Sequence, residues 1–148
     1  MALPISHAMS ALSTFQGVKR RMELICRAGV INIYDDFAHH PTAIQTTLLG
    51  LRARVGQDKV IAVIELGSYT MRGGEHADCL SESVREADQV IWFQPRDVAF
   101  DIEALVQETS ANLVHSADAL LALLAPQFDA QVEATHLVLM SKIGRAHV

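Results

Sequence analysis

The sequence predicts a Rossmann-like, doubly wound α/β domain whose sheet is mostly parallel and carries an antiparallel hairpin at its N-terminal edge. Three observations carry this reading. The runs at 60–64, 90–93 and 137–140 are continuously apolar rather than alternating, as strands covered by helices on both faces must be. Strand-like and helix-like segments alternate regularly after residue 41. Before it, two apolar runs are separated only by Arg27-Ala28-Gly29, the spacing of a hairpin.

Taken in order, apolar side chains at Ile5, Ala8, Met9 and Leu12 give residues 2–14 a helical stripe that ends near Gly17. Met22–Cys26 and Val30–Tyr34 read as the paired strands. From Pro41, the residues Ile44, Thr47, Leu48, Leu51 and Val55 recur at helical spacing, with Pro at the start and Gly56 as the stop. A strand follows at Val60–Ile64. The stretch from Gly67 to Gly74 reads as a loop, His76–Ala87 as a helix with Leu80 and Val84 inward, and Val90–Phe93 as a strand whose Trp92 and Phe93 belong to the core. Asp101–Gln107 is a short helix, Asn112–Val114 a short strand, Ala117–Leu124 a helix, and His136–Met140 the last strand.

Composition narrows the function. A chain of 148 residues can bury one core and is short for two domains. No apolar stretch approaches the roughly 20 residues that span a bilayer, and the N-terminus lacks the basic and apolar regions of a secretion signal. Cys26 and Cys79 are too few and too far apart for a disulfide framework or zinc ribbon, so a reducing, cytoplasmic setting is expected. A formal charge of −5 argues against a general nucleic-acid binder. The one dense basic cluster, Lys19-Arg20-Arg21, suits a small anionic ligand.

Chemistry concentrates in Asp35-Asp36-Phe37-Ala38-His39-His40-Pro41, at the C-terminal end of one strand and facing the start of the next helix. Two carboxylates and two imidazoles there can reach a ligand's hydroxyls and phosphates. Asp36 could instead cap the helix at Pro41. A metal site from His39, His40, His76 and Asp36 is the weaker reading, because adjacent histidines seldom face one ion and His76 opens a helix, so no metal is assigned. His7, His115, His136 and His147 share no motif and are expected at the surface or at edges.

Together with Phe15-Gln-Gly-Val-Lys-Arg-Arg-Met-Glu upstream, the Asp-Asp-Phe-Ala-His-His-Pro motif resembles the C-terminal domain of the Mur ligases, and within them the murein peptide ligase branch. The likeness runs from about Ala11 to Ser141. It implies an ATP-dependent ligase that activates UDP-N-acetylmuramate as an acyl phosphate and joins it to L-alanyl-γ-D-glutamyl-meso-diaminopimelate in peptidoglycan recycling. The implied roles are Arg21 reaching the γ-phosphate as charge stabilisation of phosphoryl transfer requires, Asp36 contacting the nucleotide ribose with Asp35 beside it, and His39 and His40 turned toward the incoming peptide. Lys19 and Arg20 are expected as interdomain hinge charges. After the strand at 60–64 the branch tends to read Glu-Pro-Arg-Ser-Asn-Thr-Met, and here the chain reads Glu65-Leu66-Gly67-Ser68-Tyr69-Thr70-Met71-Arg72. Ser68 and Thr70 keep the frame of a substrate loop, and Arg72 is the candidate replacement for the arginine lost at Gly67.

The resemblance also implies parts that are not in this sequence. No Gly-x-x-Gly-Lys-Thr/Ser loop occurs, so ATP and Mg2+ are expected to be held mainly by a central domain, and the UDP-sugar by an N-terminal one. Residues 1–17 are expected to be the end of that central domain with its linker, and 18–142 the truncated C-terminal domain. Residues 143–148, which match one reading frame of a sequencing-adapter end, are expected to be a non-native tail. The isolated chain is then expected to be inactive. The alternatives are the related UDP-N-acetylmuramate–L-alanine ligase, whose motif reads Asp-Asp-Tyr-Gly-His-His-Pro, and a stand-alone nucleotide-binding module.

Overall fold

The structure, a computed structural model, describes residues 5–14, 18–130 and 132–142. Six strands, β1 (Glu23–Ala28), β2 (Ile31–Asp36), β3 (Lys59–Glu65), β4 (Gln89–Phe93), β5 (Asn112–Val114) and β6 (Thr135–Met140), form one sheet in the order β1-β2-β6-β3-β4-β5. All neighbours are parallel except the β1–β2 hairpin. The helices are α1 (Ile5–Ser13), α2 (Pro41–Val55), α3 (Tyr69–Gly73), α4 (Ala77–Ser83), α5 (Ile102–Thr109) and α6 (Ala117–Asp129). The expected fold class is the observed one.

The continuously apolar strands feed both faces of the sheet. Val60, Ala62, Ile64, Val90, Trp92, Val138 and Met140 point to one face, where they meet Ile44, Leu48 and Leu51 of α2, Met71 of α3, Leu80 of α4, and Ile102 and Leu105 of α5. Ile61, Val63, Ile91 and Leu137 point to the other, where the described residues supply α6 alone, through Leu120, Leu123, Leu124 and Phe128. Each side chain of this size contributes about 1.5–3 kcal/mol when fully buried.

Strand β6 lies between β2 and β3, so α2 crosses over it to join two strands that are not neighbours. The carboxyl ends of β2, β6 and β3 therefore stand side by side, which is where open α/β sheets place ligands. The 35–41 loop, the 65–72 loop and Ser141 meet at that edge.

Local chemistry explains where the elements depart from expectation. Gly29 takes φ 59, so the hairpin turns at Gly29-Val30 and β1 runs on through Ala28, with a bulge between Leu24 and Cys26. The Gly67–Gly74 loop contains a helix, α3: the Ser68 hydroxyl accepts from Met71 N–H at 3.2 Å, and Gly74 ends the helix at φ 78. Helix α4 stops at Ser83, while Val84 still reaches the core from the following turn. Helix α6 continues through Pro126 to Asp129, five residues past the expected end. Helix α1 forms where its stripe predicted, with no buried residue. Its predicted end at Gly17 and the 143–148 tail lie outside the described residues.

At the amino ends of the strands the polar groups satisfy one another. Arg52 donates to the carbonyls of Gly56, Asp58 and Glu86, and pairs with Asp88 at 2.7 Å. Asp88 also accepts from Val60 N–H at 2.7 Å. Burial pushes the Asp88 carboxyl upward, but the Val60 N–H, the Arg52 guanidinium and Lys59 outweigh it and hold the group below its ordinary value. His136 is buried rather than at the surface as expected: its Nε2 lies 3.2 Å from Asp58 Oδ2 and its Nδ1 3.2 Å from the Tyr34 hydroxyl.

Candidate functional site

Strand β2 delivers Asp35 and Asp36 into the carboxyl edge, and Asp36 is only 2% exposed. A buried carboxylate needs donors. Its Oδ2 accepts from Met22 N–H at 2.8 Å, its Oδ1 from Ala38 N–H at 2.8 Å, and Thr47 Oγ1 stands 3.4 Å from Oδ1. It does not cap α2, a place taken by His40. Asp36 thus ties the segment before β1 to the loop after β2.

Arg20 completes that tie. Its Nε pairs with Asp35 at 3.4 Å, its Nη2 donates to the Ser141 carbonyl and Nη1 to that of Lys142 at 3.4 Å, and its guanidinium sits 5.0 Å from the centre of the Phe37 ring. Its backbone takes part as well, with Arg20 N–H donating to Glu23 at 3.0 Å and Arg20 O accepting from Phe37 N–H at 2.8 Å. Arg20, expected as a hinge charge, is the structural pin of the linker. Arg21 is left exposed, its guanidinium 5.9 Å from the same ring centre. Arg20 and Met22, on either side of it, both adopt left-handed backbone, at φ 57 and 48. Each such residue costs about 1–2 kcal/mol, which the surrounding contacts offset.

The two adjacent histidines diverge. His39 Nδ1 lies 2.7 Å from Phe37 O and its ring packs edge-on against Phe37. His40 Nδ1 accepts from Thr42 N–H at 3.4 Å, and its Nε2 lies 3.0 Å from Nε2 of His76, with ring centres 4.2 Å apart. Of the four groups weighed for a metal only these two meet, and no cluster of three or more potential ligands occurs among the described residues.

In the 65–72 loop, Ser68 is buried as the cap of α3, with its hydroxyl 3.4 Å from that of Thr70. Arg72 has a buried Nε without a hydrogen-bond partner in the structure, and its carbonyl accepts from Ala99 N–H at 2.7 Å. Glu65, 6% exposed, accepts from the Ser141 hydroxyl. Its Oε1 lies only 2.7 Å from where a Cβ at Gly67 would stand, so glycine is required there while Glu65 keeps this position.

The structure therefore gathers Arg21, Asp35, Asp36 and His39 around the linker and Phe37, pairs His40 with His76 instead, and places Ser68, Thr70 and Arg72 on the next loop of the same edge. Sequence reasoning missed Arg20 as the pin and His76 as the partner of His40. Arg20 carried a signal in its basic cluster; His76, 36 residues from His40, was grouped with it only in the weaker metal reading.

A parallel sheet wound in this order, with polar loops gathered at its carboxyl edge, is a ligand-binding α/β domain in class. More narrowly, residues 20–141 match the Mur ligase, glutamate ligase domain, and the chain belongs to the Mur ligase family as a C-terminal domain. It is 44% identical over 105 residues to the UDP-N-acetylmuramate–L-alanyl-γ-D-glutamyl-meso-2,6-diaminoheptandioate ligase of Escherichia coli, covering 68% of this chain and 23% of the relative. The ligase of the same name from Haemophilus influenzae is 36% identical over 129 residues, covering 82% and 28%. A crystal structure of a murein peptide ligase from Psychrobacter arcticus superposes with a TM-score of 0.71 at 34% identity, over 91% of this chain and 29% of that one. The chain thus spans about a quarter of the length of the curated relatives it matches. No helix among the described residues is long and apolar enough to cross a membrane.

Proposed function

We propose that this chain is the closing domain of a cytoplasmic, ATP-dependent ligase that joins L-alanyl-γ-D-glutamyl-meso-diaminopimelate to UDP-N-acetylmuramate during peptidoglycan recycling. The observation that carries the reading is Arg21, an exposed guanidinium held on a linker that Arg20 and Asp36 pin to the carboxyl edge of the sheet. A cation presented on a fixed backbone, with Lys19 and Arg20 beside it, fits a polyphosphate. ATP supplies the phosphoryl group that activates the muramyl carboxylate, and the peptide amine displaces it. Mg2+, like most of the ATP contacts, is assigned to the central domain that the family resemblance implies.

Within this chain, Arg21 stabilises charge on the phosphates, and Asp36 and Asp35 serve the ribose side. Each Asp36 oxygen has a second lone pair beside the one that Met22 or Ala38 N–H fills, so a ribose hydroxyl can donate to the carboxylate while the linker stays pinned. His39, His40, Ser68, Thr70 and Arg72 face the peptide side, and closure of this edge over the neighbouring domain excludes water from the acyl intermediate.

The test joins residues 18–142 to the N-terminal and central domains of the Escherichia coli relative and follows ATP-dependent formation of the UDP-muramyl product. Activity with the tripeptide that is lost in Arg21→Ala supports the reading. Activity with L-alanine in its place moves the assignment to the alanine-adding ligase, and nucleotide binding by the 148-residue chain alone, without activity in the hybrid, moves it to a stand-alone module.

A further inference from the structure

The contact between His40 and His76 joins the start of α2 to the start of α4, and its hydrogens can be assigned from their neighbours. A backbone amide can only donate, so His40 Nδ1, which receives Thr42 N–H, is bare. The neutral ring then carries its hydrogen on Nε2, which points at His76 Nε2 3.0 Å away. That atom must accept, so the hydrogen of His76 sits on Nδ1. No partner for His76 Nδ1 exists among the described residues. The result is an asymmetric unit. His40, itself exposed, spends both ring nitrogens on contacts within the chain, while His76, half-buried, keeps one N–H undonated. Just past the pair in sequence, a groove of about 400 Å³ runs between α2 and α4, lined by Pro41, Thr42 and Gln45 on one side and Asp78, Cys79, Glu82 and Ser83 on the other.

We infer that His76, held by His40, is the specificity-determining residue that meets the incoming peptide, donating Nδ1–H to a carboxylate or carbonyl oxygen. His40 is a positioning residue: it sets the tautomer and orientation of His76 and has no hydrogen of its own to offer. The peptide identity rests on the ligase reading above; the proton arrangement does not.

Long-range 1H–15N correlation spectra of the labelled 148-residue chain read both. His40 should show a bare Nδ1 and a protonated Nε2, and His76 the rarer Nδ1–H form. A His76 that carries its hydrogen on Nε2 overturns the inference. In His40→Leu the His76 ring should revert to Nε2–H, whereas His40→Gln, whose amide can still donate to His76 Nε2, should preserve Nδ1–H. A His76 spectrum that is the same in wild type and His40→Leu removes His40 from the positioning role. Adding L-alanyl-γ-D-glutamyl-meso-diaminopimelate should then shift His76 Nδ1 more than either His40 nitrogen. Shifts at the Thr42 and Cys79 amides with His76 Nδ1 unmoved overturn the peptide contact. A peptide that moves no signal at all overturns the contact, the hybrid enzyme decides the ligase reading separately, and the tautomers still decide the pair.

Discussion

The two ends of the sheet are both crowded with charge, and they are finished differently. At the amino ends, Arg52, Asp58, Asp88, His136 and Tyr34 form circuits in which the groups are donors and acceptors to one another or to nearby carbonyls. At the carboxyl ends the same kinds of residue build an equally dense network around Asp36 and Arg20, but leave some capacity over: the Arg21 guanidinium, the His76 Nδ1–H, and the buried Nε atoms of Arg72 and of Arg20, the latter within ion-pair range of Asp35 without a hydrogen bond. Closed circuits hold strand ends together. Capacity left over at a sheet's carboxyl edge marks where a ligand completes the bonding.

Substitutions at the two ends should separate these roles. The largest stability loss is expected for Asp36→Ala, about 3 kcal/mol in chemical denaturation, because Met22 N–H and Ala38 N–H lose their acceptor in a buried site. A loss under about 1 kcal/mol would show that water replaces the carboxylate and that the linker is not pinned by it. Arg52→Met should cost about 2 kcal/mol by the same measurement, since three carbonyls and Asp88 lose one shared donor. Asp88 gives a smaller, pH-dependent effect. Its folded value lies below the unfolded one, so its contribution is full at neutral pH and fades as the pH falls through the ordinary aspartate range near about 3.9 and below. With the side chain half exposed, less than about 1 kcal/mol should disappear over that window, and Asp88→Asn should flatten this part of the stability–pH curve. The smallest change is expected at Arg21→Ala, within about 0.5 kcal/mol of the parent. A large loss there would place Arg21 in the same structural class as Arg20.

Much of this was legible in the sequence, for identifiable reasons. Strands β3, β4 and β6 announce themselves because burial on both faces leaves no room for polar alternation. Helix α2 is bounded by Pro41 and Gly56, whose backbone requirements are local. The clustering of Asp35 to His40 was readable because one loop holds it. What escaped depends on distance or on competition. His136 looked like an edge histidine, since its partners Tyr34 and Asp58 are brought to it only by parallel pairing of β2 and β6 and by the turn before β3. The meeting of His40 with His76 depends on how α2 and α4 pack. Arg20 and Arg21 are indistinguishable as letters, and left-handed backbone at Arg20 and Met22 decides which turns inward. Helix α3 was hidden because glycines outweighed the Ser68 cap in a short window.

The crowding of Glu65 against Gly67 has a consequence for how this domain can change. A side chain added at position 67 would displace the Glu65 carboxylate, which accepts from Ser141 and stands where the first carbon would go; as the far end of a flexible side chain it can rotate away. An arginine at position 67 would turn Glu65 away from Ser141 without requiring its replacement. The Glu65–Ser141 contact and the bare backbone at Gly67 are thus linked: the contact persists in its present form only while position 67 carries no side chain.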